Sequence, residues 1–170
     1  MEVSHMLHEM EVSGLTVDQV SNSPIVILKS VEGDHALPIW IGILEATAIA
    51  TELENVRFAR PMTHDLFKNF IDLLQVNISK VEVCDLRDNT FFAQIYFSLN
   101  NQSYNMDARP SDAIALALRA GCPIFVDDEV LQKSKQLDGE PEAADKSEEG
   151  LKWKDYLEKL SPDDFGKYKM

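Results

Sequence analysis

The chain is poor in the residues that staple a fold, cross a bilayer or grip a polyanion. Its 170 residues include two cysteines, Cys84 and Cys122, far apart and in no CxxC pair. That excludes a zinc finger or a disulfide scaffold and favours a reducing compartment. Long apolar runs are also missing. The longest, ALPIWIGILEATAIA, is broken by Glu45 and too short to span a membrane, and the opening MEVSHMLHEMEVSG has no basic segment followed by an apolar one. The expectation is a soluble cytoplasmic protein with no membrane partner. Basic residues are scarce, with sixteen Lys and Arg against twenty-nine Asp and Glu for a net charge of −13. Such a chain repels polyanions at long range, so any contact with nucleic acid must be local or metal-assisted. Seven Gly and seven Pro exclude collagen-like and mucin-like classes. No P-loop, dinucleotide glycine pattern, HExxH, EF-hand loop or nucleophile elbow occurs.

What remains is a chain that folds: 45% of its residues are hydrophobic, enough for one core without a disulfide or structural metal. Segments 7–17, 24–31 and 35–41 read as strands, the last two joined around Gly33-Asp34, and a helix starts near Ile43. Further on, Lys80-Val81-Glu82-Val83 alternates, Ala93, Ile95, Phe97 and Leu99 share a face, and a strand near 102–108 runs into Pro110 and a second helix. The order β-β-β-α thus occurs twice. Placing Glu45-Ala46 on Asp112-Ala113 also matches Ala48 with Ala115 and Ala50 with Ala117, a weak internal repeat. The first helix carries an apolar stripe of Ala46, Ile49, Ala50, Leu53 and Val56, with Glu45 and Glu52 on a solvated side. Only Asp112 and Arg119 interrupt the second helix, which should be nearly buried and stopped by Gly121 and Pro123. Between the units, Thr63 can cap a third helix whose Phe67, Phe70, Ile71 and Leu74 face the core, and PIFVDD reads as a last strand. The fold class is α/β of α+β character, with mixed, largely antiparallel sheets and packed helices.

Composition changes near residue 132. Residues 1–131 form the body, with eight basic and nineteen acidic side chains; 132–150 are too polar to order and read as a flexible linker. Residues 151–170 read as a helical tail, with Trp153, Tyr156, Leu157 and Leu160 at helical spacing. The tail stripe and the strand edges need cover, which implies a homodimer.

Chemistry concentrates in Arg60-Pro61-Met62-Thr63-His64-Asp65 and Asp107-Ala108-Arg109-Pro110-Ser111-Asp112. Each is an extended Arg-Pro step leading into a helix, and each combines a guanidinium with a helix N-terminus, two features that bind phosphate. Ordinary helix caps and ion pairs account for the same residues. His64, in a first turn, feels the positive end of the helix dipole, which favours a neutral base or metal ligand. A hard divalent ion would prefer carboxylate oxygens with one imidazole, a set that Asp107, Asp112, Asp65 and His64 supply by type.

Taken together and in order, LPIWIG-x₂-EATAIA, RPMTHDL, DARPSDAIALALR and PIFVDDEVL resemble the bifunctional nuclease domain family, over roughly residues 7 to 131. The resemblance implies an α/β domain that cleaves DNA and RNA in some members. Carried over by motif, Arg60, His64 and Asp65 fall in one pattern, and Asp107, Arg109, Ser111 and Asp112 in the other. The resulting expectation is a phosphodiesterase of low specificity acting on flexible nucleic acid. In it His64, Asp65, Asp107 and Asp112 are catalytic, Arg60, Arg109 and Ser111 bind phosphate, and Asp107 and Asp112 hold Mg or Mn. A non-enzymatic anion- or protein-binding regulatory module, or a structural homo-oligomer, stays open as an alternative.

Overall fold

The computed structural model describes residues 6–137. Seven strands form one mixed, mostly antiparallel sheet: β1 (Leu7–Val17), β2 (Pro24–Ser30), β3 (Ala36–Trp40), β4 (Asn77–Arg87), β5 (Thr90–Leu99), β6 (Gln102–Ala108) and β7 (Ile124–Asp127). Helices α1 (Ile43–Leu53) and α2 (Thr63–Leu73) lie between β3 and β4, α3 (Pro110–Ala120) lies between β6 and β7, and α4 (Asp128–Ser134) follows. The two expected β-β-β-α units are both present.

Their relation comes from the strand order β3-β2-β1-β7-β4-β5-β6. Each unit runs outward from β7, which pairs antiparallel with β1 and parallel with β4. The units are therefore related by an approximate two-fold axis normal to the sheet at β7. Local chemistry sets the hairpins. Asp88-Asn89 and Asn100-Asn101, all at positive φ, form the two-residue connections β4–β5 and β5–β6, where the twist of paired strands favours that conformation and Asn and Asp tolerate it. Gly121, at φ 65 and ψ 30, ends α3 in the left-handed region.

Alternation divides the sheet into two faces. Leu37, Ile39, Val26, Leu28, Val81, Val83, Ala93, Ile95, Ile124 and Val126 form the buried floor, and Ile49 of α1 and Ala113, Ile114, Leu116 and Ala117 of α3 join it in one core. The expectation that α3 is nearly buried holds. On the opposite face, Glu82, Gln94 and Asp107 form a row across β4, β5 and β6, with Phe125 beside Glu82.

Three expectations need correction. Phe70 and Leu74 are 54% and 51% exposed, so α2 sends Ile71 and part of Phe67 inward, not its whole apolar arc, and Val56, expected on the stripe of the first helix, lies beyond the end of α1 and is 45% exposed. Periodicity marks which residues are apolar, not how much of that arc the body covers. The first turn of α2 is tied by Asp65 Oδ2 accepting from Met62 N at 3.0 Å, not by Thr63. The body also runs past 131: residues 132–134 complete α4, and Leu137 packs against the core. The remainder of the expected linker and the helical tail lie outside the described residues.

Candidate active site

The two chemistry-bearing segments, distant in sequence, meet at the N-terminal ends of three helices. Met62 precedes α2 and puts His64 and Asp65 in its first turn; Arg109 is the N-cap of α3 and puts Asp112 in its first turn. Pro110 at the first helical position fixes that start, since its missing N–H is one the helix leaves unpaired anyway. His64 Nε2 lies 2.9 Å from Asp112 Oδ1 across 48 residues of chain. Arg109 forks onto the same carboxylate, Nε to Oδ2 at 2.8 Å and Nη2 to Oδ1 at 3.2 Å. Its Nη1 reaches Glu45 Oε1, in the first turn of α1, at 2.9 Å.

These contacts fix protonation. The hydrogen bond from His64, with those from Arg109, outweighs burial and holds the Asp112 carboxyl down to about 2. Asp112 is therefore a carboxylate at neutral pH and accepts only, so the proton of this bond resides on Nε2 of His64. In the neutral imidazole, Nδ1 then carries the lone pair. Arg109 uses three of its five N–H donors on Asp112 and Glu45, and with its side chain 56% exposed two donors remain to meet a ligand.

A second network lies behind the first. Arg119, with a side chain 6% exposed, donates to Asp65 Oδ1 at 2.7 Å and to the carbonyls of Ala48 and Ala115 at 3.0 and 2.9 Å, tying α1, α2 and α3 together. Burial opposes ionisation of Asp65, but the bonds from Arg119 and Met62 N prevail and lower its pKa. Each of its oxygens accepts one hydrogen bond from within the protein, Oδ1 from Arg119 and Oδ2 from Met62 N.

The remaining candidates separate. Asp107 is exposed and belongs to the Glu82–Gln94–Asp107 row, whereas its neighbour Ala108 pairs with Ala93 on the core side. The structure thus does not bring Asp107 and Asp112 together as a pair of ligands. Among the described residues, no three His, Cys, Asp or Glu side chains converge into a metal-binding group. Ser111 is 2% exposed, and a hydroxyl so deep is not a contact for an incoming phosphate. Arg60 is exposed and makes no side-chain bond or ion pair with the described residues.

Glu45 is the participant that sequence reasoning missed, taken there for part of a solvated helix face. The signal was present in the repeat overlay, which put Glu45 on Asp112: both are third residues of their helices, and both bind Arg109. Gly42, the N-cap of α1, makes the contact possible, because a Cβ there would collide with the Glu45 carboxylate.

Residues 26–138 match the bifunctional nuclease domain family. An uncharacterized protein of Mycobacterium tuberculosis is 41% identical over 162 residues, 92% of this chain and 97% of its own length. Bifunctional nuclease 1 of Arabidopsis thaliana is 32% identical over 107 residues, and Bifunctional nuclease 2 of Oryza sativa subsp. japonica is 26% identical over 117. The matched region is 33% and 36% of those plant proteins, so this chain spans about a third of their length. Among the described residues, no helix is long and apolar enough to cross a membrane.

Proposed function

The chain belongs to the bifunctional nuclease domain family, and on that premise we propose that it hydrolyses phosphodiester bonds of flexible DNA or RNA, with His64 as general base and Asp112 as its orienting partner. The observation that carries the reading is the 2.9 Å bond between His64 Nε2 and Asp112 Oδ1, which leaves Nδ1 to take a proton from the attacking water or sugar hydroxyl. The Asp112 carboxylate then stabilises the imidazolium that forms. Arg60 and the two spare donors of Arg109 take the phosphate oxygens, a fork suited to that geometry. No base-reading pocket is part of this scheme, in keeping with low sequence preference.

The Arg109 guanidinium bonds to both Glu45 and Asp112, so in this reading those carboxylates serve the arginine and not a resident divalent ion. Magnesium or manganese would arrive with the substrate's phosphates, and no step above requires it. The same three bonds favour a second reading, in which Arg109 is a clamp between two helix ends and the module binds anions without turnover.

Hydrolysis of a fluorescent single-stranded oligonucleotide separates the two readings, using wild type, His64→Ala and Asp112→Asn purified identically, with and without EDTA. A loss of about 10²–10⁴ in rate for His64→Ala is the expected result. Equal rates in all three proteins would remove the enzymatic reading, and abolition by EDTA alone would move the chemistry to a metal.

A further inference from the structure

Two nucleophiles can attack a phosphodiester bound at this site, a water or the ribose 2′-hydroxyl of RNA, and the side chains present discriminate between them. Each of the five side-chain carboxylates on α1, α2 and α3 bonds to a cation of the same chain: Glu45 and Asp112 to Arg109, Asp65 to Arg119, Glu52 to Arg57 and Asp72 to Lys68. A carboxylate paired in this way is a weaker base than a free one. His64 differs from all of them. Its side chain is 20% exposed, Nε2 is fixed on Asp112, and Nδ1 makes no hydrogen bond among the described residues. Arg109 forks on the same Asp112 and lies open to an anion. The site thus offers one base and an anion holder, while the carboxylates that could aim a water are turned to cations.

Magnitudes decide what such a set can do. A positioned base contributes about 10²–10⁴ to a rate, and one oriented donor to a developing oxyanion about 10²–10³. A nucleophile tethered beside its target adds an effective concentration on the order of 10⁵–10⁸ M. Water has no tether and must be caught and aimed by the protein; the 2′-oxygen of RNA is carried next to the phosphorus by the sugar itself. We infer that this site cuts RNA through attack by the substrate's own 2′-hydroxyl, leaving a 2′,3′-cyclic phosphate, an inference that rests on the reading of His64 as general base. Nδ1 of His64 takes the hydroxyl proton as the 2′-oxygen bonds to phosphorus. The bond from phosphorus to the 5′-oxygen breaks, its electron pair staying on that oxygen. The leaving oxygen takes a proton from solvent and His64 returns one to solvent, so no water is consumed. Arg109 meets the charge that gathers on the non-bridging oxygens as phosphorus becomes five-coordinate, and the Asp112 carboxylate steadies the imidazolium. A linkage that follows a deoxyribose lacks the attacking group.

The probe is a fluorescent single-stranded DNA oligonucleotide with one ribonucleotide at its centre, incubated with the full chain in magnesium buffer, its earliest products weighed by mass spectrometry. Cleavage is expected on the 3′ side of the ribose, more than about tenfold faster than at any deoxy linkage, with a fragment that ends in a 2′,3′-cyclic phosphate. His64→Ala, purified identically, is expected to lose at least about tenfold of that cut. If it fails to fold, His64→Gln takes its place, because the amide still donates to Asp112 but is no base at neutral pH. Deoxy linkages cut within about tenfold of the ribose linkage, or a first product ending in a linear phosphate or a free 3′-hydroxyl, would overturn the inference and leave the phosphodiesterase reading standing. No cut at any linkage, or a smaller loss in the folded His64 variant, would remove both.

Discussion

Arg109 and Arg119 stand at opposite ends of one eleven-residue helix and do similar chemistry in different surroundings. Each binds a carboxylate on another helix, Arg109 the Glu45 of α1 and Arg119 the Asp65 of α2. Arg119 is 6% exposed and also closes two backbone carbonyls; Arg109 is 56% exposed and keeps two donors in reserve. Pairing by itself therefore does not separate structure from function at an arginine. Exposure does: the buried one can only hold, whereas the open one can also exchange a protein partner for a ligand.

The sharpest way to break this contrast is to remove the buried member. Arg119→Met keeps the apolar stem but leaves Asp65 and the Ala48 carbonyl without their partner, and a loss of about 3 kcal/mol is expected from urea denaturation. A loss below about 1 kcal/mol would show that the tie among α1, α2 and α3 is dispensable.

Arg109→Lys probes the open member. An exposed pair contributes little, so stability should fall by no more than about 1 kcal/mol. Oligonucleotide cleavage should fall at least tenfold, because Arg109 holds three carboxylate oxygens with two donors to spare, whereas an ammonium has three donors in all and would have none left for a phosphate. A stability loss equal to that of Arg119→Met, with cleavage intact, would make the two arginines equivalent and remove the phosphate role.

A further contrast concerns acid. The Asp112 carboxyl is held down to about 2 from an ordinary 3.8, chiefly by the hydrogen bond from His64, so the protein gains stability above the unfolded value. That gain is lost as pH falls through the folded value, between about pH 4 and pH 2, and amounts to roughly 1–2 kcal/mol. Asp112→Asn should flatten this part of the stability profile relative to wild type, measured by urea midpoints at successive pH values. An unchanged slope would mean that the His64–Asp112 bond is not made in solution.

Much of the fold was legible because it is written locally. The alternation of Ala93, Ile95 and Phe97 marks β5, and Gly121 marks the end of α3. Contacts between distant segments were harder to read. Nothing in its neighbourhood announces that Glu45 meets Arg109 across 64 residues; only the repeat overlay hinted at it. Asp107 was a readable miss, since on a strand it must point away from the face that Ala108 shares with Ala93. Phe70 and Leu74 were placed in the core because an apolar arc looks the same whether its own body or another molecule covers it. The position of β7 was also hidden, since three apolar residues and an aspartate fit an edge as well as a centre.

That position has a consequence for how the chain is made. Among the described strands β7 is the last to leave the ribosome, yet it is the strand that both β1 and β4 need on their inner edges. Until Ile124–Asp127 has emerged, two three-stranded pieces each carry an unpaired inner edge, and no order of synthesis lets the first piece finish alone. Closure of the sheet must be a late, single event that joins sequence ends more than a hundred residues apart, slow by its topology and open to mispairing while it waits.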